Sequence, residues 1–447
     1  MASWNLAFIP MVVSIGVFFV INNEPGQLQD EWDFIQMDPN YLMQANSKIE
    51  NVVTYENLTE EIYEKMMIEN DWDRSYFDAL TPEERAANLK EAAKAINAQN
   101  EAFKSKKSSF TCKLTALSIL GEKDFKERVK NQLDPFPKDS RESSSLLGGA
   151  QHEKQALDEK YEKYLARLME DRKDLPTEFF TPERYLTPVK DQGNCGSCAI
   201  FATVATIETA FLKQNTELIP LDLAEQTFLN CAKGFRGIGG CSEGNEIDAP
   251  FRYLISHRGG SLPPECLNPY NVEKEHNQCI TEHYNVNAGV KVTDNYHFDN
   301  VGEQKLKYLV NVYGAVEVAM FVPDYMRNKM QHVGAGVMDE CAPNLAPGKA
   351  GHAVTIVGYG LDTTTNTPYW KVKNSWGKSW GQEGYFLIKR GVNCNNIETV
   401  AVGPIVALSG ENNSLVDQQI FSSVVLKTAL MLSLLLFLIH NFAFRLV

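Results

Sequence analysis

Several common chemistries have little to work with in this sequence. No stretch repeats another, which excludes a solenoid or an array. The only Cys-x-x-Cys, at Cys195 and Cys198, has no second copy, and none of the eight histidines forms the close pair of a zinc ligand set, so no metal site is expected. Basic residues are in deficit, 43 Lys and Arg against 57 Asp and Glu for a net charge of −14, which argues against a nucleic-acid partner. Uninterrupted apolar runs are short: Leu6 to Val20 has 15 residues and Thr428 to Ile439 has 12, both below the roughly 20 of a transmembrane helix.

What is present bounds the answer further. The 447 residues, 44% of them hydrophobic, suit a globular chain of more than one unit. Leu6 to Val20 has the length of a signal-peptide core, which assigns residues 1–21 to a signal peptide and the chain to the secretory pathway. A lysosome-like compartment, the exterior or a membrane-tethered state are the destinations that route allows. Nine cysteines fit an oxidising compartment, and the odd count leaves at least one thiol unpaired. Sequons at Asn57 and Asn412 agree with glycosylation on that route.

Residues 27–135 are rich in Glu, Lys, Asn and Ala. In "TPEERAANLKEAAKAINAQNEAF", Thr81 is an N-cap with Pro82 at the first helical position and Glu84 at the capping-box position, and Leu89, Ala93, Ile96 and Phe103 share a stripe. Residues 136–174 comprise a Ser- and Gly-containing linker and an amphipathic helix, with Leu157, Tyr161, Tyr164, Leu165 and Leu168 on one face that needs a surface to dock on. Residues 175–408 concentrate glycine, aromatics and cysteine. Helical patterns come first there and short strands follow, a helical lobe ahead of an antiparallel β lobe. Residues 409–447 are a polar spacer and a hydrophobic tail. Val424 to Phe444 spans a bilayer if Lys427 and His440 snorkel, whereas Ser409 and Gly410 before the spacer suit a lipid-anchor signal; both readings stay open.

The chemistry gathers at "DQGNCGSCAIFATVATIETAF", Asp191 to Phe211. A Cys-x-x-Cys is a redox dithiol, half a zinc site, or a structural sulfur beside a reactive one. The segment before it, "LTPVKDQGN", lacks the buried strand of a thioredoxin-like unit. In the third reading Cys198 opens a helix built on Phe201, Val204, Ala205, Thr209 and Leu212, where free N–H groups and the dipole favour thiolate. Such a nucleophile needs an imidazole. His352, in "GHAVTIVGYG", enters an apolar strand, and Asn374, in "KNSWGKSWG", could hold one ring nitrogen while Trp376 shields that bond.

On these motifs the sequence resembles the papain-like, cathepsin-type cysteine peptidases, over about residues 175–408. The resemblance implies an α+β fold of two lobes, a helical left lobe and an antiparallel β-barrel right lobe, with a helical N-terminal propeptide. It makes Cys198 the nucleophile, His352 the general base and acid, Asn374 its orienting residue and Gln192 the oxyanion-hole amide. It places Gly244, Asn245, Glu246, Ala319 and Trp376 at the substrate. It pairs Cys195 with Cys241, Cys231 with Cys279 and Cys341 with Cys394, and leaves Cys266 without a partner. Arg85, Leu89, Ile96 and Asn100 fall at the spacing of the family's interspersed propeptide motif, so residues 27–135 become an intramolecular inhibitor and the chain a zymogen, with maturation near "DRKDLP".

The sequence departs from the family where an aromatic residue usually follows the nucleophile and Ala199 stands, and where Asp or Asn usually precedes the histidine and Gly351 stands. Altered packing at Ala199 is expected, with activity kept. "CSEGNEI" is expected to put Asn245 and Glu246 on the wall of the pocket for the second residue before the cut, tolerating Arg or Lys there. The reading is a thiol endopeptidase acting on peptides and proteins, monomeric, without cofactor, and with the tail compatible with membrane attachment. The alternatives are an inactive papain-fold binding or adhesion protein, and a transpeptidase using the same acyl-enzyme.

Overall fold

The computed structural model describes residues 52–129, 161–163, 165–167, 169–170, 175–215, 220–271, 279, 289–342 and 351–407. All belong to one unit, Asp38–Asn412. The signal peptide, the linker and the tail read from the sequence lie outside the described residues, as does Asn412. Asn57 is exposed.

The first described elements are helices α1 (Glu60–Glu69) and α2 (Pro82–Lys104). The capping box that opens α2 is formed, Thr81 Oγ1 accepting from Glu84 N at 3.3 Å and Glu84 Oε2 from Thr81 N at 2.9 Å. Leu89, Ala92, Ala93 and Ile96 are buried on one face, while Phe103 is only half-buried. Two polar residues in the same helix grip the next element. Asn100 brackets the main chain of Cys112, donating to its carbonyl at 2.9 Å and accepting from its N–H at 2.8 Å, and Gln99 donates to Phe110 O at 2.9 Å. They hold strand β1 (Phe110–Cys112) against the edge of β6 (Val333–Met338), with Phe110 opposite Gly336. After a 3₁₀ turn at Ala116–Ile119 comes α3 (Glu122–Arg128), whose Phe125 and Arg128 are buried.

The helical part of residues 175–408 contains α4 (Cys198–Gln214), α5 (Gln226–Cys231) and α6 (Ala249–His257). Ile200, Val204 and Ile207 of α4 pack with Phe228, Phe251, Phe321 and Val402 in the main apolar cluster, each full burial stabilising by about 1.5–3 kcal/mol. The strands are β2 (Phe179–Phe180), β3 (Ser261–Leu262), β4 (Val290–Asp299), β5 (Val316–Phe321), β7 (Gly351–Asp362), β8 (Thr367–Lys373), β9 (Tyr385–Lys389) and β10 (Val400–Ala407). Helix α7 (Gly302–Tyr313) precedes β5, and α8 (Asp324–Met330) follows it.

The α+β class is the one expected. The sheet, however, is open and mixed where a closed antiparallel barrel was expected. Its order is β1-β6-β9-β8-β7-β5-β10-β4-β3, with β2 on β7. Strand β6 reaches β9 by a crossover and runs parallel to it, Val337 opposite Leu387. The outer edge of β6 is taken by β1 from the upstream segment, which covers hydrogen-bonding groups that would otherwise stand open.

The disulfides are Cys195–Cys241, Cys231–Cys279 and Cys341–Cys394, separated by 46, 48 and 53 residues. Each is worth about 4 kcal/mol in the chain-entropy account. Cys112 and Cys198 are free and buried, and Cys266 is free and exposed. The amphipathic segment before residue 175 has its docking surface: Tyr161 and Leu165 are buried, Tyr161 donates to Asp294 Oδ2 at 2.7 Å, and Glu162 pairs with Lys305 at 2.8 Å. Leu157, Tyr164 and Leu168 lie outside the described residues. No helix among the described residues is long and apolar enough to cross a membrane.

Candidate active site

Cys198 is the first residue of α4, so the unpaired N–H groups of the helix mouth surround its sulfur. Across from it, β7 carries His352 opposite Met320 and Ala353 opposite Ala319 of β5. The N–H of Ala353 points at Cys198 Sγ from 3.4 Å, which sets the strand of His352 against the helix of Cys198. His352 Nε2 meets Asn374 Oδ1 at 2.8 Å, and Nδ1 has no hydrogen-bond partner among the described residues. Trp376 stacks on the imidazole, ring centres 4.6 Å apart at 24°, and excludes water from the His352–Asn374 bond. The arrangement fits a ring held at one nitrogen with the other left for the thiol.

Gln192 is held by Ser375, Cys195 and Arg128. Its N–H donates to Ser375 O at 2.9 Å and its side-chain oxygen accepts from Ser375 Oγ at 2.6 Å. Lys190, two residues earlier, anchors the segment by turning inward to Glu225 at 2.8 Å and Glu208 at 3.1 Å. The Gln192 amide nitrogen donates to Cys195 O at 2.7 Å and to Arg128 O at 3.0 Å. The second of these acceptors comes from α3. The upstream segment therefore places a main-chain carbonyl on that amide, and Phe125 lies edge-on to Trp376 at 5.2 Å.

Burial acts on both reacting groups. Burial pushes the Cys198 thiol up to about 11, against the lowering by the N–H groups of Ala353, Ala199 and Cys198 itself. Burial pushes His352 down to about 4, against the raising by Asn374. In the covered chain burial therefore opposes the charged form of both groups, against the lowering that the helix-end N–H groups exert on the thiol.

The residues of the loop expected to line the pocket have partners within the fold. Asn245 is fully buried and turned inward, donating to Gly196 O at 3.0 Å, so it braces the Cys195 turn. Glu246 is matched by Arg252 at 2.6 Å, which removes the free negative charge on which tolerance of Arg or Lys was based. Gly244 closes its own turn at φ +76°, its N–H donating to Gly240 O and its carbonyl accepting from Gly239 N. Ala319 is fully buried in the main cluster. Ala199 is also fully buried, in a cluster with Cys198, Ala202 and Ala353.

Sequence reasoning missed three side chains here. Tyr270 donates to Gln192 O at 2.6 Å and meets the Phe201 edge at 4.8 Å, while Asp191 and Arg128 form an ion pair at 3.0 Å. No spacing links these positions, and only the adjacency of Asp191 to Gln192 offered a signal.

An open sheet against a helix that begins on a cysteine, with an amide-held histidine facing it, has the parts for nucleophilic acyl transfer. Residues 175–405 match the family model for papain family cysteine proteases, more than half of the chain, and the chain belongs to that family. Oryzain gamma chain of Oryza sativa subsp. japonica is 37% identical over 240 residues, 54% of this chain and 62% of that one. A cathepsin L-like proteinase of Fasciola hepatica is 38% identical over 226 residues, 50% of this chain and 63% of that one. The matches therefore span about three fifths of these relatives' length. Among solved structures, a digestive procathepsin L2 proteinase from Tenebrio molitor larval midgut has a TM-score of 0.59 at 23% identity, covering 77% of this chain and 98% of that one. Recombinant stem bromelain precursor has 0.55 at 24%, covering 77% and 97%. These two likenesses carry the fold.

Proposed function

We propose that the chain is the zymogen of a thiol-dependent endopeptidase acting through Cys198, His352 and Asn374. The observation that carries the reading is the geometry of His352: one nitrogen on Asn374 at 2.8 Å, the other unpartnered, and the next residue's N–H on the Cys198 sulfur. Once the upstream segment leaves, water returns to the cleft, Nδ1 takes the thiol proton, and the helix end holds the thiolate. Cys198 Sγ attacks the peptide carbonyl carbon, while the Cys198 N–H and the Gln192 amide, released from Arg128 O, hold the oxyanion. His352 gives its proton to the leaving amine, and water, deprotonated by the same ring, frees the acyl group.

Ala199 and Gly351, the departures that motivate an inactive scaffold, are both buried and leave the His352–Asn374 bond at 2.8 Å. The carbonyl of Arg128 on Gln192 and the ring of Phe125 on Trp376 support the reading of residues 27–135 as the inhibitor. Peptide and protein substrates, passage through the secretory pathway and maturation near "DRKDLP" belong to the same proposal. The test is mass spectrometry of acid-treated protein after exposure to a thiol-directed peptidyl epoxide, with Cys198→Ala as control. Label confined to Cys198 together with loss of the upstream segment is the expected result. No label once that segment is gone would transfer the chain to the non-catalytic class.

A further inference from the structure

The upstream segment carries an imprint of what the cleft accepts beside Gln192. Arg128 closes α3 and is fully buried, a position that costs several kcal/mol for a lone cation and demands a matched partner. Its Nη1 donates to Asp191 Oδ1 at 3.0 Å and its Nε to Asn194 Oδ1 at 3.4 Å. The remaining contacts are to Tyr76, which accepts from Nη2 and lies under the guanidinium, 4.8 Å from ring centre to Cζ. Tyr76 belongs to the upstream segment too. Within residues 175–408, Asp191 and Asn194 alone hold the arginine side chain among the described residues.

The place of Asp191 assigns it to one side of the cleft. Gln192 N donates to Ser375 O and Gly377 N to Lys190 O, and Asp191 forms a β-bridge with Trp376. Residues 190–192 thus run beside 375–377, next to the Trp376 ring stacked on His352, the side from which the proposed leaving amine takes its proton. Three features keep the carboxylate open there. Within residues 175–408 its one hydrogen bond among the described residues is from Gly193 N to Oδ1 at 2.9 Å, and the 3.4 Å bond from the Tyr76 hydroxyl to Oδ2 belongs to the upstream segment. Lys190 is turned away to Glu208 and Glu225. Gly377, at φ +75°, offers no side chain where a Cβ would stand 3.2 Å from Oδ2. Asp191 is already 34% exposed in the covered chain, and Asn194 is exposed.

We propose that Asp191, with Asn194, forms a subsite for the basic side chain of an arginine or lysine on the leaving-group side of the scissile bond. The inference rests on the peptidase reading and deepens it. A site whose side-chain groups are a carboxylate and an amide oxygen selects a donor-only cation. An apolar side chain would cover the carboxylate without pairing it, and an acidic one would oppose it.

The test begins with enzyme freed of its upstream segment and counted by epoxide labelling of Cys198. Quenched peptides then differ only in Arg, Lys, norleucine or Glu at the first and second positions after the cut. At one of these positions Arg and Lys are expected to exceed norleucine in kcat/KM by about tenfold, with Glu poorest, as a charge-assisted pair allows. Asp191→Asn, which keeps the shape and the Gly193 bond, brings the Arg to norleucine ratio close to one. Enzyme that labels and cuts with a wild-type ratio near one, or with a ratio that Asp191→Asn leaves unchanged, overturns the subsite and leaves the peptidase standing. Failure of Cys198 to label overturns both.

Discussion

The two walls of the cleft carry acids that are handled in opposite ways. On the loop at 239–246, Glu246 has its partner within the same fold, Arg252 at 2.6 Å, and Asn245 is buried under Gly196. On the wall formed by 190–194 and 375–377, the Asp191 carboxylate is paired by Arg128, a residue from outside the peptidase-like region. The first wall is complete in itself. The second is complete only while the upstream segment is docked. An acid satisfied locally is structure, and an acid satisfied by a removable segment is available for recognition once that segment goes.

The largest expected effect breaks the second wall. Arg128→Met removes the buried cation and its charge-assisted bonds, costing about 2 kcal/mol of docking, or about thirtyfold in the docked-to-open ratio, after allowance for the partly exposed carboxylate. Self-cleavage at acid pH, followed by gel densitometry, should speed up by a comparable factor. An unchanged rate would mean that Arg128 does not hold the cover.

A medium effect is expected where the same cover meets His332. Its ring is buried against Ser118 Oγ at 2.8 Å, and burial lowers its pKa from 6.5 to about 3. A histidine whose pKa is depressed by docking favours the docked state above its free value, and loses that contribution as pH falls toward the depressed one. Docking therefore weakens from pH 6.5 down toward about 3. Hydrogen exchange at residues 115–120 in Cys198→Ala protein should show protection falling across pH 6 to 4. His332→Gln, which cannot titrate, should retain more of it; identical pH profiles would remove His332 from acid activation.

The smallest effect lies on the first wall. Glu246→Gln loses a partly exposed ion pair worth about 0.5 kcal/mol. Thermal unfolding and the preference for the residue two before the cut should both stay nearly unchanged. A marked change in that preference would show Glu246 facing substrate and erase the contrast between the walls.

Much of this site was legible in advance because its determinants are local or paired by type. Thr81 and Glu84 cap a helix through contacts three residues apart, and Cys198 at a helix mouth is a local fact. His352 and Asn374, twenty-two residues apart, were legible through the motifs around them. The contacts of Asn245 and Glu246 were not legible, because adjacency to Gly244 says nothing about which way a side chain turns; Gly196 O and Arg252 meet them from elsewhere in the fold. The helix end that favours a thiolate is a local feature, whereas the burial that opposes it is set by the packed fold.

By itself the sequence determined the helix and strand patterns, the residue types for acyl transfer and the class of fold, since these depend on short-range periodicity and on chemical identity. Tertiary structure alone decided which edge of the sheet is covered, which nitrogen of His352 is free, how burial opposes the charged forms of Cys198 and His352, and that Asp191 meets an arginine of the upstream segment while Glu246 meets Arg252. Each of those depends on desolvation and on partners far apart in the chain, and both exist only after the chain has packed.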